Sequence, residues 1–151
     1  MLIHDLTAEQ CREVLTRANL GRLACSRADQ PYIVPIFFSF DLQDDCLYSF
    51  STVGQKVDWM RGNPKVCVEV DEVRGQYEWT TILVFGRYEE IGDSSEHAPA
   101  RRRAHDLFQQ RPHWWLPATG KLRGAEEHHS PILYRIHMNL VTGRRAGREG
   151  A

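Results

Sequence analysis

Lysine is scarce in this 151-residue chain. Of its 19 basic residues only Lys56, Lys65 and Lys121 are lysines; the rest are arginine. An ammonium is a compact, strongly hydrated point charge and a guanidinium a planar fork, so each lysine is read singly. No apolar run approaches the ~20 residues that a membrane-spanning helix needs. The opening MLIHDLTAEQ lacks the basic flank and apolar stretch of an export signal, so a cytoplasmic protein with reduced thiols is expected. No two of Cys11, Cys25, Cys46 and Cys67 form a C-x-x-C pair, which removes the zinc-knuckle and thioredoxin patterns. The formal net charge is −1, too little to draw the chain to nucleic acid or an anionic membrane. There is no G-x-S-x-G and no Cys set beside a His in a known pattern, so nucleophilic catalysis has no signature. His97, His105 and His113 recur every eight residues and His128 and His129 are adjacent. Pro112 puts His113 outside the helix that carries the first two, which leaves too few convergent ligands for a metal.

What is present is a globular composition, 42% hydrophobic, sized for one domain over residues 1–151. Thr7 and Gln10 form a capping box, and Cys11, Val14, Leu15 and Ala18 follow at helical spacing to a stop at Asn19 and Gly21. The pattern then turns to strands. Residues 21–26 are short and apolar, 28–31 read as a turn, and 32–40 (YIVPIFFSF) are rich in β-branched and aromatic residues. Pro35 cannot donate to a ladder, so an edge or a bulge is expected there. Residues 46–51 (CLYSFS) give a hairpin with 32–40, and a tight turn leads into a short helix over 55–61 that stops at Gly62. Residues 65–73 alternate as a half-buried strand, and 78–91 make a longer one with Gly86 at a bulge. Ser95 caps a helix over 95–110 whose Arg101–Arg103 run reads as a solvated face. An aromatic loop (112–117) holding Trp114 and Trp115, a polar connection (118–130), a strand (131–138) and a basic tail follow, with about 146–151 expected to fray. Turn-length links imply an antiparallel sheet. The fold class is mainly β (α+β), with about six strands closing into a small barrel and helices outside.

Three segments carry the candidate chemistry. In Ser49-Phe50-Ser51-Thr52-Val53-Gly54-Gln55-Lys56, hydroxyls end a strand and a lysine sits in the first turn of a helix, a combination that suits a phosphate. The same spacing also describes an ordinary strand-to-helix turn with a solvated lysine. Trp79, with Thr80 and Thr81, offers a flat wall and two hydroxyls, or simply a core indole and two strand formers. Val34-Pro35-Ile36 leaves backbone groups near Pro35 free to meet the edge of a planar heterocycle, or is an edge strand protected by its proline.

Taken in order, GRLA (21–24), PYIVPIFFSF (31–40), LYSFSTVGQK (47–56), NPKVCVEVDE (63–72), EWTTILVFGRYEEI (78–91) and YRIHMNLVTGRR (134–145) resemble the pyridoxamine 5'-phosphate oxidase-like flavoproteins, nearest their nitroimidazole-reductase-like branch. The resemblance implies a six-stranded split β-barrel and a homodimer with FMN in a cleft between subunits. It implies that Val34, Pro35 and Ile36 lie along the flavin ring. Phe50, Ser51, Thr52, Gln55 and Lys56 hold the ribityl and phosphate groups, and Trp79, Thr80 and Thr81 complete the pocket. The implied activity is flavin-dependent reduction of a small aromatic or nitro substrate, with no side chain required as acid or base. A deazaflavin-dependent reductase, or a non-catalytic flavin- or haem-binding module, is the alternative on this fold. The chain departs from the branch at Phe50, where a histidine is common, and that departure counts against nitroimidazole reduction.

Overall fold

The structure is a computed structural model that describes residues 1–111 and 131–148. The expectations for 112–117 and 118–130, including Trp114 and Trp115, fall outside them.

The N-terminal helix α1 (Ala8–Arg17) starts where the sequence places it. Gln10 N–H donates to the Thr7 hydroxyl at 3.2 Å, and Thr7 N–H donates to the Gln10 side chain at 2.9 Å. Its Cys11, Val14 and Leu15 are fully buried. The Arg111 guanidinium closes the other end, donating to the carbonyls of Ala18 (2.9 Å) and Thr16.

Strands β2 (Leu20–Arg27) and β3 (Gln30–Phe37) form a hairpin through Ala28 and Asp29, both at positive φ (48° and 63°), the conformation a tight two-residue turn demands. Here the sequence expectation is corrected. The 32–40 segment breaks at Phe38, which is buried. Only its last residues, β4 (Ser39–Asp41), pair with β5 (Cys46–Ser51). Helix α2 (Gln55–Gly62) leads to β6 (Lys65–Gly75) and β7 (Glu78–Ile91). A turn of 3₁₀ helix (Ser95–His97) precedes α3 (Ala98–Gln109), because Pro99 belongs in a first helical turn; the expected Ser95 cap is therefore absent.

The last strand, β8 (Ile132–Gly147), is twice the expected length. Its arginine- and glycine-rich end does not fray through Gly147: Gly143–Ala146 pairs with Ile82–Trp79 on one side, and Arg144–Gly147 with β1 (Leu2–Asp5) on the other. Among the described residues eight antiparallel strands result, in the order β3-β2-β6-β7-β8-β5-β4 with β1 on the flank of β8. Beyond the two added by β1 and by the break at Phe38, the barrel matches the expected architecture. Pro35 lies on β3, which pairs with β2 alone, as its missing N–H requires. The ladder of β7 on β8 shifts register at Gly86, where an added Cβ would run into the carbonyl of His137.

The barrel interior is filled by Leu23, Phe38, Val68, Ile82, Val84 and Ile136, all fully buried and each contributing ~1.5–3 kcal/mol by leaving water. A smaller core joins Cys46, Tyr48 and Ile91 to Ala100, Ala104 and Leu107 of α3. Asp41, fully buried, anchors that helix through two bonds from Arg103 (3.0 and 2.8 Å). Arg103 therefore leaves the solvated face expected of its run.

Candidate functional site

The strand order ends at β3 on one side and β4 on the other, and no ladder joins those two ends among the described residues. The Ser49 hydroxyl on β5 donates to the Phe37 carbonyl on β3 at 2.5 Å and ties the end of β3 to β5. Val34, Pro35 and Ile36 lie on β3, and Phe50 and Ser51 on β5. Thr52, Gln55 and Lys56 follow β5 directly. Some side chains are already engaged. The Phe50 ring packs edge-on against Phe108 of α3 at 5.3 Å, and the Ser51 hydroxyl donates to the Thr52 carbonyl at 2.9 Å.

Helix α2 is held against the β2–β3 hairpin. The Asn63 amide donates to the Ser26 carbonyl and hydroxyl (3.2 and 3.1 Å), and Trp59 tilts onto Tyr32 with ring centroids 5.5 Å apart. These contacts fix the middle and the C-terminal end of the helix. Its N-cap is Gly54, which supplies no side-chain cap, so no side chain caps the first-turn N–H groups. Lys56 is half-buried in that turn and has neither a hydrogen bond nor an ion pair among the described residues. Burial pushes its ammonium below the usual lysine value. An unsatisfied cation beside uncapped helix N–H groups is the donor set that a phosphate requires.

Trp79, Thr80 and Thr81 are placed elsewhere in the same chain. From Trp79 to Ile91, β7 runs ~40 Å of contour, and two strands, β2 and β6, separate its start from β3. Trp79 and Thr80 line a cavity of about 300 Å³ with Arg17, Glu72, Arg145 and Ala146. Thr81 lines a separate outer groove with Leu83, Thr142 and Arg144. Sequence reasoning missed Arg17, Arg145 and Ala146, because the last two sit in a segment with no hydrophobic alternation. The outer face of the sheet carries one lateral row of apolar residues in direct register: Ile33, Ala24, Cys67, Phe85 and Leu140. Ile33 is 66% exposed and Leu140 56%.

No thiol here is set up as a nucleophile. Cys46 lies 3.4 Å from His137 Nδ1, and His137 Nε2 is 3.2 Å from Glu89, but burial pushes the thiol up to about 11. Among the described residues no group of three His, Cys, Asp or Glu side chains is placed to hold a metal.

The family model for pyridoxamine 5'-phosphate oxidase matches residues 7–145, nearly the whole fold. The chain belongs to the pyridoxamine 5'-phosphate oxidase family. It is similar to RA0666, an uncharacterized protein of Rhizobium meliloti, at 38% identity over 151 residues and 97% of each chain. Among solved structures it resembles a FAD-binding protein of Mesorhizobium loti (39% identity, TM-score 0.80, covering 97% of this chain and 100% of that one). It shares the fold of a candidate 5-nitroimidazole antibiotic resistance protein of Bacteroides thetaiotaomicron (16% identity, TM-score 0.64, 98% and 93% covered). Family membership accounts for the split-barrel fold.

Proposed function

We propose that this family member binds FMN as a homodimer and reduces a small aromatic or nitro-substituted substrate in the cytoplasm. The observation that carries the reading is Lys56, a half-buried ammonium with no partner at an uncapped helix start. Lys56 and the first-turn N–H groups of α2 hold the phosphate, and the Thr52 hydroxyl and Gln55 hold the ribityl chain. The backbone of Val34-Pro35-Ile36, open on its unpaired edge, meets the ring. Bound flavin supplies the electrons; the chain supplies position and electrostatics, and no side chain acts as acid or base.

The separation of Trp79–Thr81 from Lys56 within one chain supports the dimer, since a second copy brings that wall to the corner at Lys56. The exposed row Ile33–Leu140 gives such a contact its apolar face. The similarity to a FAD-binding protein favours FAD as the second reading, the adenosine extending past the same phosphate corner.

Titrating the purified protein with FMN and with FAD, followed by flavin fluorescence, tests this. Lys56→Ala weakens binding by about 1.5–3 kcal/mol, the range for a charge-assisted hydrogen bond. Unchanged affinity removes the phosphate assignment, and a tighter fit to FAD selects the second reading. Sedimentation velocity at micromolar concentration shows a dimer; a monomer alone refutes the shared site.

A further inference from the structure

The exposed apolar row on the outer face of the sheet runs between two charged edges. On one side, Lys65 of β6 and Arg87 of β7 stand directly opposite each other, and both are exposed. Neither side chain has an ion pair among the described residues. Like charges in register repel, so this pair costs the single chain stability. On the other side, Glu69 of β6 is in register with Arg22 of β2 and Leu83 of β7, and Asp71 follows it on the same face. The Arg22 guanidinium lies 2.5 Å from Asp71 and 3.8 Å from Glu69. One cation against two carboxylates leaves an excess negative charge. Burial and the neighbouring Asp71 carboxylate push the Glu69 carboxyl above its ordinary value. Arg144, at the far end of the Asp71 row, is 3.5 Å from Asp5. Between the two edges lie Cys67 and Phe85, with Phe85 43% exposed.

We infer that this face binds a second copy of the chain about a two-fold axis lying along the apolar row, so that Lys65 of each copy faces the partner's Glu69. The inference rests on the proposed homodimer and specifies the surface and the charges that make it. A two-fold contact presents the same patch from both copies. An axis along the row keeps each strand over its own copy and exchanges the levels on either side. Lys65 and Glu69 lie equally far from Cys67 on β6, so they exchange, and the basic edge lies on the acidic edge twice. The apolar residues of the row meet their own copies and leave water together. An axis along the strands does the opposite: it lays Lys65 and Arg87 on the same two cations of the other copy. The chosen axis also reaches the cofactor pocket. Phe85 is midway between Trp79 and Ile91 on β7, so the partner's Trp79 arrives at the level of Ile91. The ladder continues that level through Leu133 to Phe50, where the phosphate segment begins.

The test is sedimentation equilibrium across a dilution series of the purified full chain. Lys65→Glu and Glu69→Lys are run singly and mixed in equal amounts. The parent is a dimer. Each variant alone sets like charges face to face twice per dimer, and its self-association is expected to weaken at least about tenfold. In the mixed dimer both charge pairs are opposite in sign again, and association returns to within about threefold of the parent. A role confined to one chain gives no recovery on mixing. Phe85→Asp sets two carboxylates against each other on the axis and gives the largest loss. Thermal melts establish that each variant folds. Should Glu69→Lys not fold, Glu69→Gln takes its place, because mixing it with Lys65→Glu still regains one native pair. Self-association unchanged in folded Lys65→Glu, or no recovery on mixing, overturns the inference and leaves the homodimer standing when the parent is dimeric. A monomeric parent removes the homodimer itself, and this surface with it.

Discussion

Arg103 and Lys56 are two cations that the fold partly buries, and it treats them oppositely. Arg103 reaches from α3 to a fully buried carboxylate, Asp41, and satisfies it with two short bonds. Lys56 is half-buried and has no counter-ion among the described residues. The first arrangement completes itself within the chain and belongs to stability. The second stays open within the described residues, and on that opening the proposed phosphate site rests.

That contrast is broken most severely at Arg103. Arg103→Ala leaves Asp41 buried without its partner and is expected to cost about 3 kcal/mol of stability in denaturant unfolding, with flavin affinity unchanged in the folded fraction. The pH dependence carries a signature. Burial pushes the Asp41 carboxyl up, but the Arg103 bonds and the backbone N–H of Gln43 outweigh it and hold the group below its ordinary value. A depressed carboxyl contributes fully above about pH 4 and loses its contribution as pH falls through the folded value. The gap between parent and Arg103→Ala is therefore widest near neutrality and narrows in acid. A gap independent of pH separates Asp41 from the effect.

Lys56→Ala has the opposite profile. Flavin affinity falls by the 1.5–3 kcal/mol already given, while stability without flavin holds or rises slightly, because a desolvated charge is removed. A large loss of stability in this variant makes Lys56 structural and erases the contrast. The smallest effect is a control. Arg27 and Asp58, on the surface of the same helix region, are 3.0 Å apart with side chains 63% and 67% exposed. Arg27→Ala shifts the unfolding midpoint by no more than about 0.5 kcal/mol.

Much of this was legible in the residues, where local chemistry decided the outcome. Thr7 and Gln10 satisfy each other, Pro35 forces an edge, and Gly86 sits where no side chain fits. The losses fell where backbone pairing, rather than side-chain pattern, makes the element. Strand β1 is exposed along its whole length, and the Gly143–Gly147 end of β8 is glycine and arginine, yet ladders hold both in place. The hairpin partner of 32–40 was misassigned because Phe38, indistinguishable from its neighbours by type, turns inward and ends the strand. In the candidate site Lys56 and its neighbouring hydroxyls are named by local pattern. Arg145 and Ala146 are not, because only the ladder sets them across from Thr80 and Trp79 on β7.

Strand β7 belongs to both hydrophobic cores. Ile82 and Val84 fill the barrel, Tyr88 adjoins them, and Ile91 enters the α3 cluster. Neither cluster can melt while the other persists without tearing one continuous ribbon of backbone. Heat should therefore register the two as one cooperative unit, and hydrogen exchange along β7 should report a single opening event shared from Ile82 to Ile91.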